Sequence, residues 1–313
     1  MKSMKYLLPC LALSLFSCSD NNTPMEEVNE KKELTVNTGI VKSRAMITGE
    51  RFDDGAELGI TLVENKDAVF TYDGLTEGYY NIQYKASGTH PDQVWAPTDK
   101  PIYLSSTEGR AVAYYPYSKD ETDYKALTLK AYGQVDYMFS RWVKPINNLY
   151  HEATFQMEHA MAGIRISLKR GSYTGVGKVT EIVLNSRGLG STGKLNAATG
   201  EVYDVTVGPI DTYMMRPLFE NIILEGNEFY HTLLMAVPVP EITDNMKMSI
   251  TIDGRVYEAE GIMVQPFYSG DLYTFKLTLD NTALTISNEV EITPWEEDTT
   301  ASTDNGGVLK PTV

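Results

Sequence analysis

The run GLGSTGK, Gly188 to Lys194, fits the first seven positions of a phosphate-binding loop, in which backbone amides cradle phosphates and a lysine reaches the terminal one. The eighth position should be Ser or Thr to ligate magnesium, and it is Leu195. The following NAATGEVYDV has turn and strand character, not that of a helix whose N-terminus could hold phosphate, so the stretch reads as a glycine-rich loop between strands. His90, His151, His159 and His231 lack the zinc-protease spacing of two histidines four apart around a glutamate, and each reads as structural. Asp53-Asp54 and Glu296-Glu297-Asp298 are paired carboxylates in turn-like or tail segments, where solvated charge is the ordinary state. No G-x-S-x-G nucleophile elbow occurs. These residues give no catalytic set, metal site or cofactor site, and the expectation is a protein that is not an enzyme.

The two cysteines, Cys10 and Cys18, both precede the body of the chain. Lys2 and Lys5 form a positive n-region, and LLPCLALSLF supplies an apolar core of signal-peptide length, too short to span a bilayer. Leu15-Phe16-Ser17-Cys18 resembles the bacterial lipobox, which implies cleavage after residue 17 and a diacylglycerol thioether on Cys18; an ordinary secretory signal is the alternative. Two or three acyl chains anchor stably where one does not. The body after Cys18 has no cysteine, so neither disulfides nor thiolate metal sites belong to its design.

The elements that would position any site are strands. From Leu34 onward, short alternating runs such as ELGITLV, YNIQYKA, RAVAYYPY and DLYTFKLTLD are punctuated by Gly, Asp, Asn and Pro, the pattern of an all-β protein built as sandwiches. Asp253-Gly254 between two alternating runs predicts a hairpin. The polar residues 18–33 read as a flexible tether. Pro145, Asn147 and Asn148 suggest a division into 34–150 and 151–297, followed by a tail at 298–313 with a short apolar alternation at its end. In FQMEH the apolar residues fall on odd positions and in GIRISL on even ones, which predicts a bulge or bend at Ala162-Gly163. A formal charge of −15 argues against nucleic acid and against an anionic lipid surface as partners. Tyrosine, at 20 residues against 9 Phe and 3 Trp, suits half-wet strands and equally suits sugar stacking or protein contact.

The lipobox, SRAMITGERFDDGAELGITL (43–62), AYYPY (113–117), FQMEHAMAGIRISL (155–168), YSGDLYTFKLTL and ITPW (292–295), taken in order, resemble the fimbrillin family, FimA-like and Mfa-like. The resemblance implies two transthyretin-like β-sandwich domains in tandem, export as an outer-membrane lipoprotein exposed at the surface, and assembly into type V pili that support adhesion. Its partners would be other pilus subunits, through protease-triggered strand exchange, and a host or bacterial surface ligand. The polar spacer EEDTTASTDNGG departs from the expected C-terminal donor strand and leaves tip, anchor and stalk roles open. A surface lipoprotein that binds glycans or proteins without polymerising is the alternative.

Leu34, Val36, Thr38 and Ile40 alternate as in a strand with one buried face, and Arg44 follows where that strand should end, the expected cleavage point; Arg51 is the competitor. Cys18→Ser is expected to release the protein from the membrane fraction, as read by fractionation and immunoblot.

Overall fold

The computed structural model describes residues 30–42, 45–46, 52–64, 78–88, 92–185, 189–207, 214–215, 222–226, 228–239, 246–262, 266–286 and 290–295. Among these residues the regular elements are all strands, as the period-two alternation predicts. In chain order they are β1 (Lys32–Glu33), β2 (Thr35–Lys42), β3 (Ala45–Met46), β4 (Glu57–Glu64), β5 (Tyr79–Ser87), β6 (Val94–Pro97), β7 (Tyr103–Leu104), β8 (Gly109–Tyr115), β9 (Leu127–Lys130), β10 (Met138–Ser140), β11 (Val143–Ile146) and β12 (Glu152–His159). They continue as β13 (Ala162–Arg170), β14 (Lys178–Asn185), β15 (Gly190–Asn196), β16 (Glu201–Val207), β17 (Met214–Met215), β18 (Ile222–Ile223), β19 (Phe229–Ala236), β20 (Met246–Ile252), β21 (Arg255–Ile262), β22 (Asp271–Leu279), β23 (Leu284–Ile286) and β24 (Glu291–Pro294).

The N-terminal strands form one sheet in the order β3-β2-β12-β10-β8-β4-β5-β6, with β11 also on β8, and β1 pairs with β7 beside it. This sheet curls until β2 meets β6 at its far end, where Trp95 Nε1 donates to Thr38 Oγ1 at 3.1 Å. Its inner face holds one core, with Ile60, Leu62, Tyr84, Phe155 and Met157 fully buried.

The C-terminal strands form two sheets face to face, β19-β13-β22-β23 with β24, and β17-β14-β20-β21 with β18. Ile164, Ile166 and Leu168 of β13 and Phe275 of β22 meet Met248 and Ile250 of β20 across the gap, the packing of a β-sandwich. A third core, including Leu129, Phe139, Met161, Leu195 and Trp295, joins these layers to the sheet β16-β15-β9. The described residues from Lys31 onward belong to one compact unit.

The Asp253-Gly254 hairpin is present, with φ of 50° and 75° at the two turn residues, as a tight β-hairpin requires. The Asp253 carboxylate accepts from Gly177 N, Lys178 N and Tyr173 Oη, and these bonds, the Gly177 amide foremost, hold its carboxyl below the usual range.

Three expectations need correction. The strand 152–159, counted with the second half from the sequence, belongs to the first sheet, because its apolar face Ala153, Phe155 and Met157 completes the first core. The phase change after FQMEH is a change of sheet: the chain bends at Ala160-Met161, two positions before the expected Ala162-Gly163, and β13 then turns its even positions into the second core. Within GLGSTGK, Gly190–Lys194 is not loop: it belongs to Gly190–Asn196, the central strand between β9 and β16, and Gly188 lies outside the described residues. Gly190 is glycine there because a Cβ would stand 2.5 Å from the Val237 carbonyl oxygen.

Ile166 is fully buried between the two C-terminal sheets. Ile166→Ala is expected to lower unfolding free energy by about 2 to 5 kcal/mol in a denaturant titration.

Candidate functional site

The first core strand of the chain is where sequence, geometry and chemistry converge. Residues 31–33 are charged and exposed; then Leu34, Val36 and Ile40 drop to 3%, 4% and 2% exposure. The entry is a handover between two backbone partners. Lys32 and Glu33 pair with Leu104 and Tyr103 of β7, Leu34 N donates to Ile102 O at 2.9 Å, and Thr35 N donates to His151 O at 2.8 Å. From there β2 runs parallel to β12, with Thr35 opposite Glu152 and Ile40 opposite Met157.

Along Thr35–Ile40 no strand pairs with the other edge of β2 among the described residues; β3 joins it only at Val41 and Lys42. Over most of its length β2 is therefore held by one parallel ladder, by burial of alternate side chains, and by the Trp95–Thr38 bond. Each of Leu34, Val36 and Ile40 contributes about 1.5 to 3 kcal/mol by burial. Withdrawing the strand would leave β12 with an open edge and a groove floored by Phe155 and Met157. Such a groove binds an extended segment by main-chain hydrogen bonds and selects it by alternate side chains.

The pairs Val41↔Met46 and Lys42↔Ala45 bracket positions 43–44. Arg44 itself lies outside the described residues, as do Arg51, Cys18, His90, Glu296-Glu297-Asp298 and the 298–313 tail. Asp54 accepts from Gly88 N at 3.0 Å, a turn role.

The remaining histidines are placed by packing. The carbonyl of His151 receives β2, and His231 Nδ1 bonds Ser167 Oγ at 2.7 Å. His159 is buried, 2.9 Å from Asp136 through Nδ1, with its ring stacked on Trp295 at 4.4 Å and 8°. Among the described residues no cluster of His, Cys, Asp and Glu has the make-up of a metal site. Tyr79, Tyr84, Tyr114 and Tyr273 are core residues, and burial pushes the Tyr273 phenol up to about 12. The parallel β2–β12 register and the His159–Trp295 stack escaped the sequence reading. The ITPW tetrad was the one local signal of the second.

The fold is one shared with bacterial adhesion and fimbrial proteins of known structure. A putative cell adhesion protein from Bacteroides ovatus matches at TM-score 0.65 and 19% identity, over 85% of this chain and 99% of that one. One from Bacteroides uniformis matches at 0.62 and 17%, over 85% and 98%, and a fimbrial protein from Bacteroides vulgatus at 0.53 and 14%, over 85% and 100%. The chain has no match among curated proteins. The family profile described as Fimbrillin-like matches residues 43–295, and the chain belongs to that family.

Ile40→Ala is expected to cost about 2 to 5 kcal/mol in denaturant titration and to speed hydrogen exchange of the amides of residues 35–40.

Proposed function

We propose that this protein is a subunit or accessory protein of a type V-like pilus that supports adhesion, with its sandwich halves transthyretin-like and in tandem. It is exported as a lipoprotein, held at the outer membrane through Cys18, and assembled by strand exchange. Membership of the fimbrillin-like family and the fimbrial and adhesion proteins that share its fold support the coarse reading. The observation that carries the finer one is β2: its apolar face completes the first core, yet a single parallel ladder holds it along Thr35–Ile40 among the described residues.

Cleavage after Arg44, or less favourably Arg51, separates the lipidated segment and β2 from the rest of the chain. The exposed groove along β12 then takes a strand from another subunit, which regains main-chain bonds and apolar burial. Before cleavage the chain's own β2 occupies that groove, so the precursor does not polymerise.

Arg44→Ala, expressed in cells whose protease cuts after arginine, is expected to retain its lipidated N-terminus by mass spectrometry and to give no polymer on a non-denaturing gel. Normal maturation and polymer in the variant removes Arg44 as the switch. A wild-type N-terminus that stays at Cys18 assigns the chain instead to an anchor or to a surface lipoprotein that does not polymerise.

A further inference from the structure

A cleft opens between the N-terminal sheet and the three-stranded sheet, well separated in sequence from β2. The end of β8 and the turn that follows, Tyr114 to Ser118, form one wall, and β9 forms the other. Leu127, Leu129, Met138 and Leu195 make a buried apolar floor. Around the rim stand the half-exposed Tyr115, Tyr117 and Tyr137, with Glu121 and Lys130 between them.

The first wall is held rigid by polar contacts. Tyr114 Oη donates to Asn81 Oδ1 at 2.7 Å and accepts from Ser118 N at 3.2 Å. Asn81 Nδ2 in turn donates to the carbonyls of Ser118 and Glu121 at 2.9 and 3.1 Å. Glu121 Oε1 accepts from Thr128 N at 2.9 Å, which ties the turn to β9 across the cleft. The mouth is thus set before any ligand arrives, and little ordering cost is left to binding.

Not all of the rim is spent on this bracing. Among the described residues neither the Tyr117 hydroxyl nor the Lys130 ammonium meets a protein partner. Over a closed apolar floor the site therefore offers tyrosine rings at its edge, one carboxylate acceptor, and hydroxyl and ammonium donors. A ligand that fits has one C–H face and a perimeter of groups able both to donate and to accept.

We propose that this cleft binds one neutral pyranose ring, the terminal sugar of a glycan, with its C–H face on the half-exposed tyrosine rings of the rim and its hydroxyls on Tyr117, Glu121 and Lys130. The volume, about 130 Å³, decides the size. It is well below the ~300 to 1,000 Å³ of sites that enclose drug-sized ligands, and it accepts a single ring. Charge decides the class: Glu121 on the rim and a formal charge of −15 on the chain both disfavour anions. Burial pushes the Tyr114 and Tyr137 phenols up, so neither adds a negative charge to the cleft near neutral pH. The proposal does not depend on strand exchange, since neither β2 nor its groove contributes to the cleft.

The test is saturation-transfer NMR and titration calorimetry on the full chain with the methyl glycosides of glucose, galactose and mannose, and with N-acetylneuraminic acid as the anionic comparison. At least one neutral glycoside is expected to bind with a millimolar or better constant, and both Tyr117→Ala and Lys130→Ala to weaken it by about tenfold. Lys130 is exposed, so Lys130→Ala keeps the test valid if Tyr117→Ala misfolds by circular dichroism. Three results overturn the proposal: no saturation transfer from any neutral glycoside at ~10 mM, affinity unchanged in a folded variant, or preference for the acidic sugar.

Discussion

The parallel ladder between β2 and β12 is the contact on which the first half of the molecule depends. Through it, Leu34, Val36 and Ile40 pack into one core with Ala153, Phe155 and Met157, which arrive more than a hundred positions later. A parallel pair cannot be joined by a tight turn, so everything between the two strands is in effect one long crossover connection. The curl of the sheet, the Trp95–Thr38 bond and the β1–β7 pairing follow from the need to seat β2 against β12 while covering its inward face.

No disulfide reinforces the body, because both cysteines precede it. The load falls on three apolar clusters, and the third is the important link. It gathers Leu129 and Phe139 from the N-terminal side, Met161 from the bend, and Leu272 and Trp295 from the C-terminal side. His159 at the end of the first sheet stacks on Trp295 at the end of the last, while Trp295 N donates to Gly270 O and Gly270 N to Met161 O. The two cores are connected by shared packing as well as by the single bend at Ala160-Met161.

Strand-by-strand, much of this was legible in the sequence, since alternation is a local signal and one face of most strands is buried. Leu34, Val36 and Ile40 read as an inward face and are one, and Asp253-Gly254 read as a turn and is one. What was misread is non-local. FQMEH and GIRISL each showed their phase, but the reason for the change is that Phe155 and Ile166 face different cores, which no run of neighbours encodes. Gly190 and Gly193 suggested a loop because glycine usually marks one. Here each admits Val237 close to a central strand, and Val237 comes from a distant segment. The candidate groove was visible only as a buried face; its partner β12 and its parallel register were not.

The direction of β2 also has a mechanical meaning. A pull on the N-terminal end of β2 is resisted through β12, whose own C-terminal end leads across the bend into the sandwich. With the strands parallel, that pull runs along the ladder from opposite ends, so the hydrogen bonds from Thr35 to Ile40 bear the load together in shear instead of opening one after another. The same strand peeled sideways meets those bonds singly. A segment seated in this orientation is stiff against tension along its axis and yields to a transverse force, so the groove can hold a strand under axial load and still release it when the strand is lifted from one end.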